Sequence, residues 1–162
     1  MITQSLHTSR FQQSYTDVQA EVNVLLAKFG LPRTLKMLRF LSDDKELPSV
    51  LSAAQLKDFL LSQCLRIYGI SEEDFLHNQT NDYRYARMAC MHLLRDYGKL
   101  SHRHIGQLMG ITRRSAGYFI LQSETKLRQP QFHQAYIRPY EALEFQLIQF
   151  ISTKIKEQCP KK

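Results

Sequence analysis

An all-α fold is predicted for this 162-residue chain by three observations. Apolar residues recur at helical spacing through almost the whole sequence. Breakers are few, with 6 Gly and 5 Pro. No alternating apolar run is long enough to build a sheet. The expected architecture is a helical bundle that contains a helix-turn-helix, and this length can bury a core without disulfide or metal staples.

Taken in order, residues 1–15 read as loosely ordered. A helix from about Thr16 to Phe29 carries Val18, Val22, Leu25, Leu26 and Phe29 on one stripe, and Gly30 can end it. Pro32 suits the start of a short helix with Leu35, Leu38 and Leu41. The polar run Ser42–Ser49 breaks the pattern and marks a boundary. The expected division is a helical extension at 1–48, the helix-turn-helix domain at 49–157 and a basic tail at 158–162.

Ser52 caps the next helix, which buries Leu56, Phe59, Leu60, Cys64 and Ile67 and stops at Gly69. Ser71-Glu72-Glu73-Asp74 resembles a capping box and predicts a short helix burying Phe75 and Leu76. A polar connection, His77–Asp82, leads to a helix from about Tyr83 to Tyr97. Its inward residues are Ala86, Ala89, Cys90, Leu93, Leu94 and Tyr97, with Arg84, Arg87, Met88, Met91 and Arg95 on the other side. After the helix-turn-helix, Pro130 and Pro139 punctuate a short stretch. A last helix from about Tyr140 to Lys156 turns Leu143, Leu147, Phe150 and Ile151 inward.

The most informative stretch is Leu100–Ile120, two short helices joined by a tight turn. Ser101 can cap the first helix and Thr112 the second. Gly106 leaves room where the helices cross, and Gly110 can take the positive φ of the turn. Ile105, Met109, Ile111 and Phe119 are expected to point inward. Arg113, Arg114 and Ser115 then fall in the first turn of the second helix, where recognition helices touch bases.

Charge supports a polyanionic partner. The net charge is +7 and the pI about 9.4. Residues 81–129, which include the helix-turn-helix, hold 9 basic and 3 acidic side chains. A basic excess that coincides with a groove-reading motif is the footprint expected for phosphate binding, although charge alone also serves solubility.

Other chemistry finds less support. Cys64, Cys90 and Cys159 include no CxxC pair, which argues for a reducing compartment and no disulfide framework. No signal peptide and no membrane-spanning run is read, so a cytoplasmic protein is expected. His102-Arg103-His104 invites a metal, but i and i+2 side chains on a helix point apart. Cys90 and His92 fall on different faces. Asp43-Asp44 and Glu72-Glu73 sit at a linker and a helix start. No enzyme and no cofactor is expected. Tyr83, Tyr85, Tyr118 and Tyr136 lie near the basic segment, where exposed rings can stack on single-stranded bases and buried ones close a core.

Tyr68 to about Leu127 resembles the C-terminal DNA-binding domain of the bacterial replication initiator DnaA. The parts run in the same order. A helix ends in Tyr68-Gly69-Ile70, a short acidic helix holds Glu73-Asp74-Phe75-Leu76, and a polar linker follows. Arg87-Met88-Ala89-Cys90-Met91-His92-Leu93-Leu94-Arg95 is similar to the family's Arg-Gln-Ile-Ala-Met-Tyr-Leu helix. Ser101 and Ile105-Gly106-Gln107-Leu108-Met109-Gly110 are similar to its Ser-xxx-Ile-Gly-xx-Phe-Gly stretch. At the family's Gly-Arg-Asp-His-Thr-Thr-Val signature this chain has Ile111-Thr112-Arg113-Arg114-Ser115-Ala116-Gly117. The resemblance therefore carries the scaffold and not the base-reading residues. The initiator's nucleotide-binding module has no counterpart, because no phosphate-cradling loop sequence occurs.

The resemblance implies double-stranded DNA as partner, with Arg87 at the minor groove or a phosphate and the second helix in the major groove. The expected contact set is Arg84, Arg87, Lys99, Ser101, Arg103, Thr112, Arg113, Arg114, Ser115 and Tyr118. Arg113 and Arg114 suit guanine or phosphate. The alternative is a protein-interaction module that kept the fold and lost base reading, motivated by Gly117 inside the second helix. The apolar stripe of the first helix packs on the domain or forms a homodimer contact.

Overall fold

The computed structural model describes residues 5–31, 34, 35, 38 and 51–157. Among them are six α-helices and one 3-10 turn, and no strand. None of these helices is long and apolar enough to cross a membrane. The chain forms two compact units, 1–43 and 44–162, which divide inside the polar run predicted as a boundary.

In the first unit, α1 runs Ser5–Phe29. It begins eleven residues before the expected Thr16, because nothing between Ser5 and Tyr15 is Gly or Pro and the helix is not interrupted. Gly30 ends it with φ 75°, and its N–H donates to the Leu26 carbonyl at 2.9 Å. Val18 is exposed, while Val22, Leu25 and Leu26 are half-buried. Leu31, Thr34, Leu35 and Leu38 are helical. Pro32, Leu41 and the tail at 158–162 lie outside the described residues.

The second unit starts at α2, Ala53–Tyr68. Its entry is a full capping box. Ser52 Oγ accepts from the Gln55 N–H at 3.1 Å, and Gln55 Oε1 accepts from the Ser52 N–H at 2.9 Å. Gly69 closes it at φ 63°. Leu56, Leu60 and Cys64 are buried, and Phe59 stacks on Phe150 with centroids 4.0 Å apart.

No helix forms at 71–76. The segment is a chain of tight turns, with the Phe75 N–H on the Glu72 carbonyl and the His77 N–H on the Asp74 carbonyl. The expected cap is diverted: the Ser71 N–H and hydroxyl both meet the Tyr83 hydroxyl, at 3.1 and 3.2 Å. Phe75 is still buried, as its apolar side chain requires.

Helix α3, Asn81–Gly98, is the hub of the unit and packs against all the helices that follow and α2. Every residue from Ala86 to Leu94 is buried. The two-sided pattern read from sequence is therefore corrected: Arg87, Met88 and Met91 are interior, because neighbours cover α3 on all sides. Helices α4, His102–Met109, and α5, Arg113–Leu127, pack on each other and on α3.

A 3-10 turn, Pro130–Phe132, leads to α6, Gln134–Glu157. This helix begins before Pro139 rather than after it. Pro139 removes one backbone donor in the second turn. Burial of Tyr136, Ile137 and Tyr140 around it holds the turn helical, and Leu143, Leu147, Ile151 and Ile155 continue the same face into the core.

Candidate nucleic-acid interface

The α4–turn–α5 pair is built by two caps and two glycines. Ser101 is extended (φ −68°, ψ 155°), and its hydroxyl accepts from the His104 N–H at 3.2 Å. Gly110 ends α4 in the left-handed region at φ 68°, and the Ile111 N–H donates to the Gly106 carbonyl at 2.9 Å. Thr112 then opens α5, its hydroxyl accepting from the Ser115 N–H at 3.1 Å. The Thr112 and Ser115 hydroxyls also lie 2.9 Å apart. A Cβ on Gly106 would stand 2.8 Å from the Ile111 carbonyl oxygen, so the turn backbone presses directly on α4. Ile105 and Met109 are buried beneath the turn, and Ile111 and Phe119 are half-buried.

This scaffold projects the first turn of α5. Arg113 and Arg114 are exposed, Ser115 is half-buried within the cap, and Tyr118 is 48% exposed on the next turn. Arg103 is exposed on α4. Ser101, Arg103, Thr112, Arg113, Arg114, Ser115 and Tyr118 thus belong to one packed α4–turn–α5 unit. Arg84 and Lys99 are exposed at opposite ends of α3, about 22 Å apart along its axis. Lys99 holds the left-handed position that closes α3, at φ 50°.

Arg87 is a correction. It is 2% exposed. Its Nη1 donates to the Phe75 carbonyl at 2.5 Å and its Nη2 to the Asn78 carbonyl at 2.8 Å. The guanidinium lies 5.3 Å from the Phe119 ring centroid. Burial, and secondarily the charge of Arg84, hold its pKa below the ordinary arginine value. Arg87 ties the 75–78 turn to α3 and α5, and it is not a surface contact. Its partners lie 9 and 12 residues upstream, beyond the reach of helical periodicity.

Three of the four tyrosines are also engaged internally. Tyr136 is fully buried and shares a hydrogen bond with Ser123. Tyr85 packs edge-on against Tyr136 at 5.5 Å beneath Lys126, and Tyr83 holds Ser71. Tyr118 alone of the four is exposed. Sequence reasoning missed Leu121, which is 57% exposed on α5. Its signal was available, since Arg114, Tyr118, Leu121 and Thr125 follow one another at helical spacing.

Elsewhere, no group of three or more His, Cys, Asp or Glu side chains is placed to hold a metal among the described residues. His102 packs beside Gly117, with Nδ1 3.2 Å from where a Cβ would stand, which accounts for that glycine without an external partner. A cavity of about 150 Å³ between α2, the 71–76 turns and α4 is lined mainly by Leu61, Phe75, Leu76, Leu108 and Met109, with Lys57 and Glu72 as its charged groups. No protein-family model, no curated protein and no solved structure matches the chain.

Proposed function

We propose that this protein binds double-stranded DNA by seating the first turns of α5 in the major groove, as a regulatory or replication-accessory factor associated with the nucleoid. The observation that carries the reading is the pair Arg113 and Arg114, exposed on the first turn of a capped helix that packs on α4 and α3. A guanidinium fork matches the O6 and N7 acceptors of guanine, and a rigid helix presents it without the entropy of ordering a loop. Arg103, and farther off Arg84 and Lys99, supply charge for phosphates. The similarity of 68–127 to the initiator's DNA-binding domain supports the same reading, with Arg87 reassigned to the interior.

The test is binding of the full chain to random and site-selected duplexes across a salt series. The expected result is an affinity that falls linearly with salt on logarithmic axes. Replacing Arg113 and Arg114 by Ala is expected to weaken the selected site more than random DNA, by about 1–3 kcal/mol for each lost base contact. Equal losses on all sequences would make these arginines phosphate anchors. Absence of salt-sensitive binding would overturn the proposal and favour a protein-interaction module on the same fold.

A further inference from the structure

We infer that the outer stripe of α5, Arg114–Tyr118–Leu121–Thr125, reads a guanine and the C5-methyl groups of nearby thymines, so that the target site is defined by apolar contact as well as by arginine. This rests on the duplex-binding reading above and names what that interface selects.

The four residues are spaced 4, 3 and 4 apart, which stacks them along one face of the helix. That face is turned away from the core, which takes Ala116, Ile120 and Ser123 from the same helix. Tyr118 is 48% and Leu121 57% exposed, a large outlay of apolar surface on a helix whose other side is fully used. The Tyr118 ring meets Phe119 edge-on at 5.6 Å, and Phe119 lies under the Arg87 guanidinium. The Thr125 hydroxyl donates to the Leu121 carbonyl at 2.9 Å, so it is engaged on the helix itself.

Charge decides the occupant. Glu124 is the single acid of α5, and it is paired with Arg95 of α3. The stripe therefore combines apolar side chains with arginine and no uncompensated carboxylate. In the major groove the thymine methyl is the apolar group on a base edge, and phosphates flank it on both sides. An apolar stripe bordered by cations fits that surface. Arg114 and Leu121 are separated by about 10 Å along the helix, or the rise of about three base pairs, which sets the expected spacing of guanine and thymine.

The experiment selects a site from a random duplex pool with the full chain, then replaces each thymine singly by uracil, which lacks only the methyl group. The expected site holds guanine and thymine within three or four base pairs. Uracil there is expected to weaken binding about fourfold, the value of one buried methyl group. Leu121→Ala is expected to bind thymine and uracil duplexes alike while keeping the salt dependence. Indifference of the native protein to uracil at every position, with selective binding intact, overturns this inference and leaves DNA binding standing. No duplex binding at any salt overturns both, and the stripe then belongs to a protein partner. The uracil series needs no variant, so it holds whether or not Leu121→Ala folds.

Discussion

A Cβ on Gly117 would lie 3.2 Å from Nδ1 of His102, so the first turn of α4 rests against the middle of α5. Gly106 makes the reciprocal contact, with its space taken by the turn backbone at Ile111 and Arg113. The two glycines set the packing of α4 on α5 by different means. One faces a side chain that can move, and the other faces backbone that cannot.

This difference predicts different costs. Gly106→Ala is expected to destabilise the protein by about 1–3 kcal/mol, as overpacking against fixed atoms does. Gly117→Ala combines a helix-propensity gain of about 1 kcal/mol with displacement of the His102 ring. In a His102→Ala background that displacement vanishes, and Gly117→Ala is expected to stabilise by about 1 kcal/mol. Urea unfolding of the two single variants and the pair measures it. A destabilising Gly117→Ala in the His102→Ala background would show that something other than the ring fills the site.

Arg87 separates a structural role from a DNA role. Arg87→Met keeps an unbranched chain beside Phe119 but leaves the Phe75 and Asn78 carbonyls without their charged donor. A loss of about 2–4 kcal/mol in stability is expected. Below its melting transition, the variant should keep the native salt dependence of the duplex binding proposed above. A reduced salt slope in a folded Arg87→Met protein would return Arg87 to the interface.

His92 makes stability depend on pH. Its Nδ1 lies 2.9 Å from the Tyr140 hydroxyl on α6, and its Nε2 lies 3.3 Å from Arg95 Nη2 and 3.5 Å from Asp96 Oδ2. Burial lowers its pKa; Asp96 opposes that shift, Arg95 adds to it, and Glu124 of α5 opposes it. The unfolded chain thus takes up this proton more readily than the folded one. The contribution is complete above the unfolded value of about 6.5 and is lost as pH falls from there through the depressed folded value. Glu124 acts in a lower window. Its hydrogen bond with Arg95 holds its carboxyl below the usual range, so its contribution is lost only as pH drops beneath about 4.3. His92→Gln is expected to flatten the decline between about pH 7 and 5 and to preserve the acid limb. Unfolding midpoints across pH test it, and an unchanged decline in the variant would place the responsible proton elsewhere.

Cys64 and Cys90 are fully buried thiols. Cys64 lies 3.7 Å from the Ala86 carbonyl, and burial pushes its pKa well up. Neither is expected to react with a thiol reagent in the native protein, and both should react once denaturant unfolds it. Rapid native labelling of either, read by mass spectrometry, would show that the α2–α3 contact opens readily.

Five helix ends of the second unit were legible residue by residue. Ser52, Ser101 and Thr112 open helices, and Gly69 and Gly110 close them, where the sequence places them. Capping is a bond between residues two or three apart, and burial periodicity needs only four, so both are written locally. The exposed Arg113 and Arg114 follow from the Thr112 cap by the same short-range logic.

What lay beyond four residues was decided by the tertiary structure. The turns at 71–76 replace a helix because Tyr83, twelve residues on, captures the Ser71 hydroxyl. Pro139 sits inside α6 because the aromatic face around it is buried. Arg87 lies inside because two carbonyls and a ring converge on it from distant segments. The sequence by itself determined an all-helical fold and the order and capping of α4 and α5. Only packing around α3 decided that Arg87 and the tyrosines beside it turn inward, since burial is a property of neighbours that local periodicity does not contain.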